Sequence, residues 1–187
     1  MILGLAGPRG GGKDTLADYL VEDYSFKRIA FADPIREQVK FLLQLKSDYE
    51  YDIVKRSNLL MLNHPGREHL IDGRHLVREI GMLMLSYDKD QFTNYVTTEI
   101  TKNIEKYNYV VTDLRMDHEY VCLKRLDAFI VKIKTGKPNT DKHVTEVGFD
   151  DSQCDYIIDN STRDLDQFRK NIDTMIQGRF NVYPSSR

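Results

Sequence analysis

Gly7-Pro8-Arg9-Gly10-Gly11-Gly12-Lys13-Asp14-Thr15 is the stretch on which the fold turns. Ile2-Leu3-Gly4-Leu5-Ala6 before it is short, apolar and strand-like, and Leu16, Tyr19 and Leu20 after it fall at helical spacing. A strand, a glycine-rich loop and a helix with lysine at its start make the P-loop arrangement. Glycines let the backbone wrap closely with its N–H groups turned inward. The helix adds the positive end of its dipole, and Lys13 adds a full charge that reaches the outer phosphates. The product is a cradle for a polyphosphate such as ATP or GTP. Gly7, Arg9, Gly10, Gly11, Gly12, Lys13, Asp14 and Thr15 are therefore candidate nucleotide-binding residues. Asp14 stands where Ser or Thr usually follows the lysine, and Thr15 comes next. The glycines do not fall as Gly-x-Gly-x-x-Gly, which argues against a dinucleotide loop.

Outward from the loop, residues 26–31 read as a second strand. Asp33 can cap the helix that follows and Pro34 suits its first position; Ile35, Val39, Leu42 and Leu43 continue it at three- and four-residue steps. Residues 47–72 are irregular and predict a partly helical insertion over the site, carrying Lys55, Arg56, His64, Arg67 and His69. Helical patterns cover 73–87 and 88–106, with a Leu/Met stripe that reads as core. Residues 109–112 form a strand ending in Asp113, 117–126 a helix, and 128–133 another strand. A lysine-bearing loop over 134–153 precedes a strand at 156–158, a turn at Asp159-Asn160-Ser161 and a helix over 165–176. Strands alternate with helices, so the fold class is α/β: a parallel sheet of about five strands covered on both faces, as in a three-layer P-loop NTPase sandwich. Ligands of such sheets sit at the carboxyl ends of the strands. Those ends supply the P-loop, residues 31–33, Asp113, Lys134 and Asn160, which are expected to converge on one crevice.

The chain has 187 residues, which fits a single domain with a small lid or insertion, for which the 47–72 stretch and the 134–153 loop are the candidates. Its 41% hydrophobic content is enough for a core, and a net charge of −2 gives no general case for binding nucleic acid. Cys122 and Cys154 form no metal motif and read as buried free thiols of a reducing, cytoplasmic compartment. The amino terminus runs straight into a strand, which predicts no signal peptide, and no apolar run approaches the roughly 20 residues that span a bilayer.

Asp113-Leu114-Arg115-Met116-Asp117-His118-Glu119 is the second informative stretch. A carboxylate at a strand end can hold Mg²⁺, directly or through water, or accept a hydrogen bond from a substrate. Arg115 has the fork that suits a phosphate. Glu119, four residues on, shares its helix face and can orient it or meet a ligand. An ordinary charged helix start explains the same pattern.

Together these segments resemble the deoxynucleoside monophosphate kinases of tailed bacteriophages. The resemblance is carried by Gly7 to Thr15 with its Lys-Asp-Thr, by Phe31-Ala32-Asp33-Pro34-Ile35-Arg36, by the Asp113–Glu119 stretch, by His143-Val144-Thr145-Glu146, and by Ile157-Ile158-Asp159-Asn160. These cover most of the chain in order. The resemblance implies transfer of a phosphoryl group from ATP, with Mg²⁺, to a dNMP. It implies that Asp113, Arg115 and Glu119 bind the acceptor, that Asp33 and Arg36 line the same pocket, that the loop around Lys137 covers ATP, and that Asn160 lies near the adenine. It also implies a homodimer, with a monomer as the alternative. The helix around Gly81 departs from the family pattern: it has Gly81-Met82 in place of Gly-Thr, Thr93-Asn94 near the expected Trp, and the chain has no Trp at all. Arg78 is the candidate replacement contact to the acceptor base.

Lys13, Asp113 and Arg115 are thus the candidate catalytic residues, and Asp14 and Thr15 the candidates for placing Mg²⁺, Asp14 through water. Small-molecule nucleotides are the expected partners. Two rivals stand beside this reading. One is another P-loop kinase, of the dephospho-coenzyme A or phosphomevalonate type. The other is a P-loop ATP-binding switch, which would have no need of a second phosphate site.

Overall fold

The computed structural model describes residues 1–57, 60–64, 67–136 and 149–184. Along the chain run β1 (Ile2–Ala6), α1 (Lys13–Tyr24), β2 (Phe26–Ile29), α2 (Asp33–Leu42), α3 (Asp48–Arg56), β3 (Leu60–His64), β4 (Arg67–Ile71), α4 (Gly73–Tyr87), α5 (Gln91–Asn103), β5 (Asn108–Val111), α6 (Asp117–Arg125), β6 (Phe129–Lys134), a 3-10 turn (Asp151–Gln153), β7 (Tyr156–Asp159) and α7 (Leu165–Phe180). They group into two compact units, Met1–Phe31 with Val96–Arg187, and Ala32–Tyr95.

The first unit is built on a five-stranded parallel sheet in the order β2-β5-β1-β6-β7. β1 is central: Leu3 stands opposite Val110 on one side and Phe129 on the other. All five of its residues are buried, as a strand covered on both faces must be. Leu3 and Leu5 face the α1/α7 side, in a core with Leu16, Leu20, Ile172 and Ile176. Gly4 faces the other side, where a Cβ would come within 2.7 Å of Leu123 on α6. Each fully buried Leu or Ile contributes about 1.5–3 kcal/mol. Helices on both faces of a parallel sheet with a P-loop after its central strand make the three-layer P-loop NTPase fold. The strand order reverses direction at β1, so the carboxyl end of β1 is the topological switch point.

The second unit holds α2, α3, the antiparallel β3–β4 hairpin and α4. α4 starts against α3: a Cβ on Gly73 would stand 1.8 Å from the Val54 carbonyl oxygen, so only glycine fits there. Gly81 is likewise the point where α4 meets Ile35 of α2.

Several expectations are corrected. The 47–72 stretch contains α3 and a complete hairpin, not only partial helix; Ser47 starts α3 by accepting from the Glu50 amide at 3.2 Å. Asp33 is the first residue of α2 and not its cap, which falls on Ala32. The Leu/Met stripe of α4 is not core throughout, since Met82 is 61% and Leu83 58% exposed. Cys122 and Cys154 are free but only half-buried. Among the described residues, no helix is long and apolar enough to cross a membrane.

Candidate active site

The P-loop conformation follows from its glycines at two places. Gly7 has φ of 139° and its Cβ position lies 2.6 Å from the Ile133 carbonyl oxygen; Gly12 has φ of 108° and its Cβ position lies 2.7 Å from Asn160 Nδ2. Neither position tolerates a side chain. Lys13 is the first residue of α1 and its Nζ donates to the carbonyls of Gly7 (2.7 Å) and Pro8 (2.9 Å). The ammonium is therefore folded against the loop it serves. Arg9 and Thr15 are exposed at this end of the unit, beside the first-turn amides that α1 leaves without helical partners.

Asn160 braces the loop from β7. Its Nδ2 donates to the Gly11 carbonyl at 2.9 Å and its own amide donates to the Lys134 carbonyl at 2.9 Å. The resemblance puts Asn160 near an adenine; in the structure it ties the strand end to the phosphate loop. Lys137 and the His143-Val144-Thr145-Glu146 segment lie outside the described residues.

Asp14 is not turned loose beside the lysine. Arg28 of β2 ion-pairs with it through Nη2, and with Asp18, one helical turn on, through Nη1 at 3.0 Å. Among the described residues, no group of three or more His, Cys, Asp and Glu is disposed to hold a metal ion by itself. Magnesium carried on nucleotide phosphates needs only one or two protein oxygens. Thr15, exposed in the first turn of α1, and Asp14, whose carboxylate pairs with Arg28, are the neighbouring residues that could supply them.

The second constellation stands on β5, next to β1. Asp113 follows the strand and its Oδ1 accepts from the Phe31 amide at 2.8 Å, so it holds the chain leaving β2. Glu119 is only 8% exposed. Its Oε2 accepts from the amides of Arg115 (2.8 Å) and Met116 (2.9 Å). The four-residue spacing therefore works through the backbone: α6 begins at Asp117, so Arg115 precedes the helix and does not share a helical face with Glu119. Burial, followed by the nearby charge of Asp113, pushes the Glu119 carboxyl up to about 7, against the opposing pull of the two amides and Arg115. A half-buried Arg115 is thus held at its main chain on the strand end adjoining the P-loop strand.

Asp33, Arg36 and Arg78 belong to the second unit. Arg36 Nη1 lies 3.3 Å from Asp33 Oδ1 and its Cζ 5.6 Å from the ring centre of Tyr51. Arg78 is exposed on α4, with Nη2 3.0 Å from His75 Nδ1. Sequence reasoning missed Arg28 and Tyr51. Arg28 carried no signal, because its pairing depends on β2 lying alongside α1. Tyr51 carried a faint one, an aromatic at helical spacing from Lys55.

Comparison with known proteins decides the family. The deoxynucleotide monophosphate kinase family model matches residues 74–172, more than half of the chain. The chain belongs to this family. Two relatives agree with it. A protein of Acanthamoeba polyphaga mimivirus named putative deoxynucleotide monophosphate kinase is 26% identical over 162 residues, covering 79% of this chain and 81% of the relative. The deoxynucleotide monophosphate kinase of Enterobacteria phage T4 is 21% identical over 220 aligned positions, covering 83% of this chain and 90% of the relative. A dephospho-CoA kinase from Campylobacter jejuni superposes with a TM-score of 0.52 at 16% identity, over 96% of this chain and 98% of that one; it shares the fold. As a member of the deoxynucleotide monophosphate kinase family, the chain is a phosphotransferase. The matched range takes in Asp113, Arg115, Glu119 and Asn160. The P-loop precedes it and stands on its own geometry.

Proposed function

We propose that this kinase transfers the γ-phosphate of ATP to a deoxynucleoside monophosphate, giving the deoxynucleoside diphosphate and ADP. The observation that carries the reading is the pairing, on adjacent strands β1 and β5, of a lysine-bearing P-loop with the Asp113–Arg115–Glu119 group. A donor cradle needs the first, and an arginine held at the neighbouring strand end suits a second phosphate.

The loop amides and Lys13 hold the β- and γ-phosphates, with Lys13 exchanging its carbonyl partners for phosphate oxygens. Arg9 and Asn160 complete the donor side, Asn160 through the loop it braces. Lys137 belongs to the segment we assign to covering ATP. Arg115 binds the acceptor's phosphate and screens its charge as the two anions approach. Asp113 and Glu119 fix the ground on which Arg115 stands. Asp33 and Arg36 are assigned to the acceptor by resemblance, and Arg78 as the base contact that replaces the missing tryptophan. Thr15 and Asp14 are the residues that would hold Mg²⁺, which would supply charge neutralisation on the transferring phosphates. An acceptor phosphate oxygen, already ionised, forms the new bond to the γ-phosphorus as the bond to the β–γ bridging oxygen breaks. The electron pair leaves with ADP, and a strong general base is not required.

Transfer of label from γ-labelled ATP tests this. Label recovered in deoxynucleoside diphosphate is expected. Label recovered only in inorganic phosphate, at a rate no nucleotide acceptor changes, would overturn it in favour of an ATP-hydrolysing switch.

A further inference from the structure

We infer that Tyr51 is a positioning residue for Arg36, setting its guanidinium for the acceptor's phosphate; this rests on the reading of Arg36 as an acceptor-binding residue. Tyr51 lies on α3, in the 47–72 stretch, and is 2% exposed. Arg36 reaches it from α2. The guanidinium carbon stands 5.6 Å from the ring centre, within cation–π range. The same guanidinium meets Asp33 Oδ1 through Nη1 at 3.3 Å. The ring and the carboxylate hold the planar group at two separate points, so together they restrict both its place and its plane. Arginine carries much rotamer freedom. A fork ordered beforehand meets a phosphate without losing that freedom on binding, and orientation of this kind is a large part of phosphoryl-transfer catalysis. A ring as buried as Tyr51 is a fixed platform, which an exposed aromatic is not. Lys55 Nζ stands 5.6 Å from the same ring, so the ring attracts cations from both its own helix and α2.

A tyrosine that merely fills the core would affect stability and leave substrate kinetics alone. The test is steady-state kinetics with thermal melts on Arg36→Ala, Tyr51→Phe, Tyr51→Leu and the double variant Arg36→Ala/Tyr51→Leu. A protein carrying pentafluorophenylalanine at position 51 keeps the bulk of the ring while reversing the charge of its face, and serves if Tyr51→Leu does not fold. Tyr51→Phe is expected within about twofold of the unaltered protein. Tyr51→Leu and the fluorinated ring are expected to raise the KM for the deoxynucleotide about tenfold, with the KM for ATP unchanged. Tyr51→Leu should add nothing on the Arg36→Ala background. An unchanged deoxynucleotide KM in folded Tyr51→Leu or the fluorinated protein, beside a raised one in Arg36→Ala, overturns the role of Tyr51 alone. A full additional effect in the double variant does the same. An unchanged KM in Arg36→Ala overturns the reading of Arg36 and the role of Tyr51 with it.

Discussion

Lys13 and Glu119 are two charged side chains with opposite situations. Lys13 makes its hydrogen bonds to loop carbonyls that a phosphate can replace. Lys13→Ala is expected to keep the fold and lower kcat on the order of a hundredfold, about 3 kcal/mol of transition-state stabilisation. Steady-state turnover beside an unchanged melting curve checks it. Glu119 is buried and satisfied by two amides, and its carboxyl is held up to about 7 against an ordinary 4.5. Between those values the folded protein keeps a proton that the unfolded chain has released, so the contribution of Glu119 to stability falls as pH rises. Glu119→Gln keeps an oxygen for the amides and cannot ionise. It is expected to gain stability relative to the unaltered protein between pH 5 and pH 8, by on the order of 3 kcal/mol at most. Urea titrations at both pH values check this; an equal difference at both would show that Glu119 does not titrate in this range.

At the scale of elements, close approach decides where glycine is required. Gly73 begins α4 against the Val54 carbonyl, and Gly178 sits in α7 where an added Cβ would meet nothing within 4 Å. Gly73→Ala is expected to cost about 2 kcal/mol or more, and Gly178→Ala to stabilise by about 0.5–1 kcal/mol. Denaturant titration of the two variants checks both signs. The contrast also marks what was legible in the sequence. The buried parallel strands announce themselves because residues 2–6 and 128–133 are near-continuous apolar runs, and the P-loop announces itself through glycine and lysine spacing. The β3–β4 hairpin did not, because Leu60-Met61-Leu62 is too short to separate from helix by period and Arg67-Glu68-His69 hides its partner strand. Pairings between distant positions carry no local signal either: Asn160 reaches Gly11 and Arg28 reaches Asp14 only once the sheet is assembled. The exposed Met82 and Leu83 show the same limit from the other side, since an apolar stripe says that something covers it and not what.

At the scale of the whole molecule, the second unit leaves Phe41, Leu42, Met82 and Leu83 exposed. The family resemblance points to association, for which exposed apolar side chains are available. Light scattering of the purified protein is expected to give the mass of a dimer; a monomer at micromolar concentration would contradict that. The fold by itself does not select an acceptor, since a dephospho-CoA kinase shares it. Family membership favours a deoxynucleotide acceptor, and the role proposed for Arg115 is in keeping with that. The most direct test of the central claim is ADP formation from ATP and Mg²⁺ against dAMP, dGMP, dCMP, dTMP, 5-hydroxymethyl-dCMP, the ribonucleotides and dephospho-coenzyme A. ADP formation that depends on one or more deoxynucleoside monophosphates is the predicted result. ADP formation that only dephospho-coenzyme A stimulates, or that no acceptor stimulates, would contradict it.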